Sequence, residues 1–259
     1  MTTKVALVQH DIVWEDAAAT REHVRPMIAK AAADGARLIV LTEMFATGFS
    51  MHPERIAEDE GGPSEQFLTD QAREHDAFVV ASLAQRGPDG AYRNNAIVAG
   101  PDGTVQRYAK IHPFTFAGEA EHYTAGDSFL TVSVDSLRMS VFVCYDLRFA
   151  DEFWGLAEGT DVYVVVANWP EARREHWRLL LRARAVENQA YVVGVNRVGR
   201  DKSLAYTGDS AIIDPLGVPV AECPSGESVV TGELDAATVS ATRSTLPFLR
   251  DRRSALSSR

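Results

Sequence analysis

Short apolar runs alternate with stretches whose apolar positions recur at helical spacing along most of this chain. Val5–Gln9 is the first such run. Ala17–Asp34 has helical composition and is followed by Gly35, a residue suited to ending a helix. Leu38–Leu41 reads as a buried strand, and Ser64–His75 as a helix with Ser64 as its N-cap. Phe78–Leu83 and Asn95–Ala99 read as strands around the turn Gly87-Pro-Asp-Gly90. Val105–Ala109 follows a second turn, Gly100-Pro-Asp-Gly103. The second half has the same texture. Leu130–Val134, Met139–Val143, Val162–Ala167, Tyr191–Val195, Ala211–Ile213 and Val229–Glu233 are strand-like, and a long Arg- and Leu-rich helix lies between Glu171 and Asn188. Continuous apolar runs predict strands covered on both faces, and hairpin turns predict antiparallel pairs beside them. The expected fold is a layered α/β protein with mixed sheets. Nothing divides residues 1–237, whereas 238–259 is polar and basic and reads as a C-terminal arm packed on a neighbour.

Bulk properties narrow the function classes. The chain has 259 residues, 46% of them hydrophobic, enough for a substantial core. A net charge of −10 argues against nucleic acid as a partner. No apolar run approaches the roughly 18 residues that cross a bilayer, and the N-terminus goes directly into a strand-like run, so no membrane partner is expected. The only cysteines are Cys144 and Cys223, too few for a disulfide framework, and a cytoplasmic location is expected. The histidines are scattered without metal-ligand spacing, so no metal is expected.

Three strand ends carry polar residues that a plain core does not need. Leu38–Leu41 delivers Glu43, Val105–Ala109 runs into Lys110, and Ser140–Val143 ends in Cys144. Cys144 stands where a turn and helix begin, and free N–H groups there favour a thiolate and can hold an oxyanion. Each residue alone has an ordinary structural reading: a helix-start carboxylate, a surface amine, a small buried thiol. Together they meet the needs of one reaction type. A thiol needs a base beside it, a glutamate can be that base and later protonate a leaving amine, and a lysine can stabilise the oxyanion.

These segments resemble the nitrilase superfamily of carbon–nitrogen hydrolases. Glu43 in LTEMFATGFS, Lys110 in YAKIHPF and Cys144 in VCYDLRF match its Glu-Lys-Cys motifs in order and rough spacing. The resemblance extends from VALVQHDIVWED through ANWPEARREHW and RARAVENQAYVVGVNRVG to GDSAIIDPLG. CYDLRF, TGFSM and GEAEHYTAG look most similar to the omega-amidase branch, which acts on 2-oxo acid amides. Ala150 stands where the family often has proline.

The resemblance implies an α-β-β-α sandwich, usually paired as a homodimer, that needs no cofactor and takes a small-molecule amide. Cys144 would be the nucleophile, Glu43 the base, and Lys110 with the Tyr145 N–H the oxyanion site. A second glutamate positions substrate in the family; Glu119 and Glu121 compete for that role, with Glu119 the better fit by spacing. Asn168 and Trp169 are expected in the pocket. Phe116, with Phe45 and Phe114, is a candidate for its wall, although such aromatics also serve packing. Asp146 and Arg148 are expected to fix the turn around the nucleophile. Arg173 and Arg174 are open between attracting a substrate carboxylate and forming a solvated face. Aliphatic amidase, N-carbamoyl hydrolase and nitrilase activities share the catalytic set and are the alternatives. Intact Glu43, Lys110 and Cys144 argue against a non-catalytic binding protein. The absence of a G-x-G-x-x-G turn or a phosphate loop argues against a nucleotide-binding domain.

Overall fold

A computed structural model describes residues 2–201 and 203–253. The first half contributes strands β1 (Thr2–Gln9), β2 (Leu38–Val40), β3 (Glu58–Asp59), β4 (Phe78–Arg86), β5 (Tyr92–Ala99) and β6 (Val105–Ala109). Its helices are α1 (Ala17–Ala33), α2 (Pro53–Ile56), α3 (Pro63–Glu74) and the single turn α4 (Glu119–His122). The second half has strands β7 (Thr131–Val134), β8 (Leu137–Val143), β9 (Val162–Ala167), β10 (Tyr191–Asn196) and β11 (Val198–Arg200). It continues with β12 (Ala205–Thr207), β13 (Ala211–Ile213), β14 (Pro219–Glu222) and β15 (Ser228–Asp235). Helices α5 (Ala150–Leu156), α6 (Arg174–Asn188) and α7 (Ala236–Thr245) complete the set.

Two mixed sheets result, one ordered β15-β1-β2-β4-β5-β6 with β3 on β4, the other β14-β13-β10-β9-β8-β7. The pairing β1-β2-β4 is parallel, as are β8-β9-β10 and the short β3 on β4, whereas the other outer strands pair antiparallel. Strand alternation sorts the side chains. Val5 and Leu7 join Val80, Val141 and Val164 between the sheets. Ala6 and Val8 turn outward onto Val24 and Ile28 of α1 and Leu68 of α3. On the other side Phe142 and Val165 share a core with Phe153 of α5 and Trp177 and Leu181 of α6. Gly194 lets α6 come close: a Cβ there would sit 2.6 Å from Leu181. The layers are therefore helix, sheet, sheet, helix, the α-β-β-α sandwich that the resemblance implied.

Several local expectations change. The helix expected from Ser64 begins at Pro63, whose fixed φ suits the first helical position, and Gly62 is its cap. The Ser64 hydroxyl instead donates to Glu58 Oε1 at 2.7 Å and accepts from Arg21 at 2.9 Å. The boundary expected at residue 237 falls inside α7, whose N-terminus is capped by Asp235 accepting from Ala237 N at 3.0 Å. Val239 is buried, and Arg243 donates to the carbonyls of Gln189 and Thr160, so this segment packs on its own chain. Residues 254–259 of the expected arm lie outside the described residues. Among the described residues no helix is long and apolar enough to cross a membrane.

Candidate active site

The site forms where both sheets present strand ends. After β2 the chain leaves the sheet through Thr42, Glu43 and Met44, with Met44 at φ 38°. Thr42 Oγ1 lies 3.0 Å from Nε2 of the fully buried His10, and the His10 Nδ1–H donates to Asp11 O at 2.7 Å. Burial holds that imidazole down at about 4, so it is neutral and accepts from Thr42. Cys144 likewise follows β8 with φ 46°, a left-handed conformation that only surrounding structure makes tolerable for a residue with a Cβ. It opens the 3-10 turn Cys144–Arg148, whose first N–H groups have no partner within the turn.

Lys110 follows β6 and is 2% exposed. Its Nζ donates to Glu43 Oε1 at 2.9 Å and to Glu119 Oε2 at 2.8 Å. Burial alone would lower this amine, but Glu119 and Glu43 outweigh it and hold the ammonium charged. Of its three donors, two are spent on carboxylates and one remains for the pocket. Glu119 starts α4, is fully buried, and accepts from Phe114 N; burial and then the Glu43 charge raise it, with Lys110 opposing. Glu121, its rival in the sequence, is exposed. Burial and the neighbouring Glu43 carboxylate push the Cys144 thiol well above its ordinary range, while Lys110 and the Asn168 N–H pull it down. The helix-terminus effect expected to favour a thiolate is outweighed, so the resting sulfur carries its proton beside Glu43.

Phe49, Lys110, Cys144, Tyr145, Asn168 and Trp169 line a cavity of about 480 Å³. Asn168 is tied to Glu43 twice, through its N–H to Glu43 Oε2 at 2.8 Å and its side-chain amide to Glu43 O at 2.6 Å. Phe116 is a correction: it is 88% exposed and absent from the lining, whereas Phe114 is present. Phe114 faces inward against Tyr145, with ring centroids 4.8 Å apart. Phe45 packs in the core against Phe67. Asp146 does fix the turn, accepting from Tyr108 OH at 2.8 Å, Val143 N at 3.0 Å and His112 N at 2.9 Å. Arg148 does not; it lies 4.8 Å over the Trp169 ring and lines the pocket. Arg173 also lines it, 5.3 Å over Phe114, while Arg174 is paired with Asp209 at 2.7 Å. Among the described residues neither Arg148 nor Arg173 has a carboxylate partner. Sequence reading also missed Asn94, which donates to Glu43 Oε1 at 2.8 Å and Glu119 Oε1 at 3.2 Å. A buried asparagine pair within an otherwise apolar strand was the available signal. Among the described residues no group of three or more His, Cys, Asp or Glu could hold a metal ion.

A thiol, a buried carboxylate and a buried lysine, meeting at strand ends of a four-layer sandwich, are the arrangement of a cysteine-dependent hydrolase. The chain belongs to the carbon–nitrogen hydrolase family, whose model matches residues 4–244. It is 40% identical to omega-amidase YafV of Yersinia enterocolitica, over 96% of each chain. It is 32% identical to 2-oxoglutaramate amidase of Bacillus subtilis, over 83% of this chain and 85% of that one. Its fold superposes with a TM-score of 0.94 and 37% identity on XC1258 of Xanthomonas campestris, a CN-hydrolase superfamily protein with an arsenic adduct in its active site, over 98% of each chain.

Proposed function

We propose that this protein is an amidase that hydrolyses the terminal amide of a small 2-oxo acid to the carboxylic acid and ammonia. The observation that carries the substrate class is a pair of guanidinium groups without a carboxylate partner among the described residues, Arg148 and Arg173, each backed by an aromatic ring in the pocket that holds Cys144. Guanidinium forks match carboxylates, and a substrate anion is what such groups lack. Omega-amidase and 2-oxoglutaramate amidase among the relatives agree with this reading.

The amide enters with its carboxylate toward Arg148 and Arg173 and its carbonyl over Cys144. Glu43 takes the thiol proton as sulfur forms its bond to the carbonyl carbon. The oxyanion is held by the remaining Lys110 N–H and by the Tyr145 N–H. Glu43 then returns the proton to nitrogen, the C–N bond breaks, and ammonia leaves a thioester. Water gives a proton to the same carboxylate, attacks the thioester, and frees the acid and the thiol. Glu119 holds Lys110 from the side opposite Glu43. An ammonia-release screen over 2-oxo acid amides, aliphatic amides, N-carbamoyl compounds and nitriles tests the assignment. Turnover confined to nitriles would overturn the amidase reading, and a preference for uncharged amides would overturn the role of the two arginines.

The assembly we propose is a homodimer. Leu179 and Val186 on α6 are 68% and 48% exposed, and Trp154 on α5 is 44% exposed. Val186 lies against Gly217, beside the exposed Leu216 and Val218. Light scattering that gives a monomer would remove this reading. Both cysteines are free thiols, which suits a reducing cytoplasm.

A further inference from the structure

Asn94 is buried in β5, and neither the nucleophile, the base nor the oxyanion site requires an amide there. Its orientation is nevertheless dictated atom by atom. Met44 N donates to Ser82 Oγ at 2.8 Å, so the Ser82 hydroxyl hydrogen is free to go to Asn94 Oδ1, also at 2.8 Å. That bond forces Oδ1 to be the oxygen and turns Nδ2 toward Glu43 and Glu119. The Asn94 carbonyl meanwhile accepts the backbone N–H of Lys110 at 2.9 Å. Ser82 and Asn94 reach each other because β4 and β5 pair Ser82 with Ala96 and Ala84 with Asn94, which puts the two side chains diagonally on one face.

We propose that Asn94, held by Ser82, is a positioning residue that keeps Glu43 and Glu119 in one arrangement around Lys110. The proposal rests on Glu43 acting as the base toward Cys144. Lys110 also bridges the two carboxylates, but its ammonium sits on a flexible stem, whereas the Asn94 amide is fixed in the sheet by Ser82. The rigid amide spans both carboxylates at once. Its loss leaves Glu43 and Glu119 each one donor short. The groups facing Glu43 are Lys110, Glu119 and Cys144, with Tyr123 and Tyr206 further out. A donor to an ionised carboxylate lowers its proton affinity, so removing it raises that affinity.

The test uses Asn94→Ala, Ser82→Ala and a matched control, Asn95→Ala. Asn95 is the next residue on β5, equally buried, and donates to Gln85 Oε1 at 3.0 Å on the opposite face. Two readouts are taken against pH: kcat for ammonia release, and the rate of iodoacetamide alkylation at Cys144 resolved by mass spectrometry. Asn94→Ala is expected to lower kcat about tenfold or more with KM little changed, and to move the acid limb of both profiles upward by about one pH unit. Ser82→Ala moves the limb the same way by less, and carries the test if Asn94→Ala does not fold. Asn95→Ala leaves the limb in place. An unmoved limb in both site variants, or an equal move in Asn95→Ala, would overturn the proposal. Because alkylation needs no substrate, it reads the positioning role even if the wild-type protein releases no ammonia from any amide.

Discussion

The molecule has two thiols, each beside a cavity, and the two places differ in what surrounds the sulfur. Cys144 lies in a cavity of about 480 Å³, Cys223 beside one of about 600 Å³. Both thiols are partly exposed and both are pushed up by burial, Cys223 to about 11. The larger cavity is lined by Arg178, Arg182, Asp209 and Glu222, but each of these charges already has a partner: Arg182 faces Glu222 at 3.7 Å, Arg178 faces Glu175 at 3.4 Å and Asp209 faces Arg174 at 2.7 Å. The Cys144 cavity keeps Arg148 and Arg173 without an acid partner among the described residues and puts a carboxylate against the sulfur. In the proposed reaction, reactivity therefore follows from a base within reach and an unspent charge for the substrate. Cavity volume and thiol exposure do not distinguish the two places.

The largest expected effect on this contrast comes from Cys144→Ala, which should reduce ammonia release to background with the fold intact by circular dichroism. Cys223→Ser should leave kcat within about twofold, since the thiol touches none of the reacting groups; a larger loss would break the contrast. Glu43→Gln should lower kcat by roughly a thousandfold, within the usual range for a lost general base. Arg148→Ala and Arg173→Ala should each raise KM for an anionic amide about tenfold or more, and leave a neutral amide nearly unaffected. Competitive labelling with limiting iodoacetamide should modify Cys144 before Cys223, and Glu43→Gln should remove that preference.

A smaller effect concerns stability rather than turnover. His10 has a folded value of about 4 against 6.5 when free, so the unfolded chain binds the extra proton between those pH values. Stability is full above the unfolded value and declines as pH falls toward the folded one, by about 3 kcal/mol in all for one such group. Replacing His10 with Asn should flatten the Tm profile between those limits. An unchanged slope would show that the imidazole is not the titrating group.

Much of this was legible in the chain. The apolar runs at Val5–Gln9, Val105–Ala109, Val162–Ala167 and Ala211–Ile213 coincide with strands or lie within them, because sheet-buried segments announce themselves by continuous apolar composition. Glu43, Lys110 and Cys144 stood out because each interrupts such a run at its end. Ser64 misled because a serine near a helix start reads as a cap, while Pro63 before it already occupied the first turn.

Sequence by itself determined the alternation of strands and helices, the three strand ends that carry the chemistry and the family to which they belong. Only the tertiary structure decided which polar groups meet. Asn94 reaches Glu43 across fifty-one positions, and Asn168 reaches it across 125, through sheet pairing that no local pattern encodes. The same holds for Glu119 over Glu121, Phe114 over Phe116 and Arg173 over Arg174. Each pair is close in sequence and alike in composition, and differs only in the side of the chain that folding turned inward. Local periodicity reports which residues are apolar together. Where two loops from different sheets converge depends on strand order and register, and there the charge partners that set reactivity are chosen.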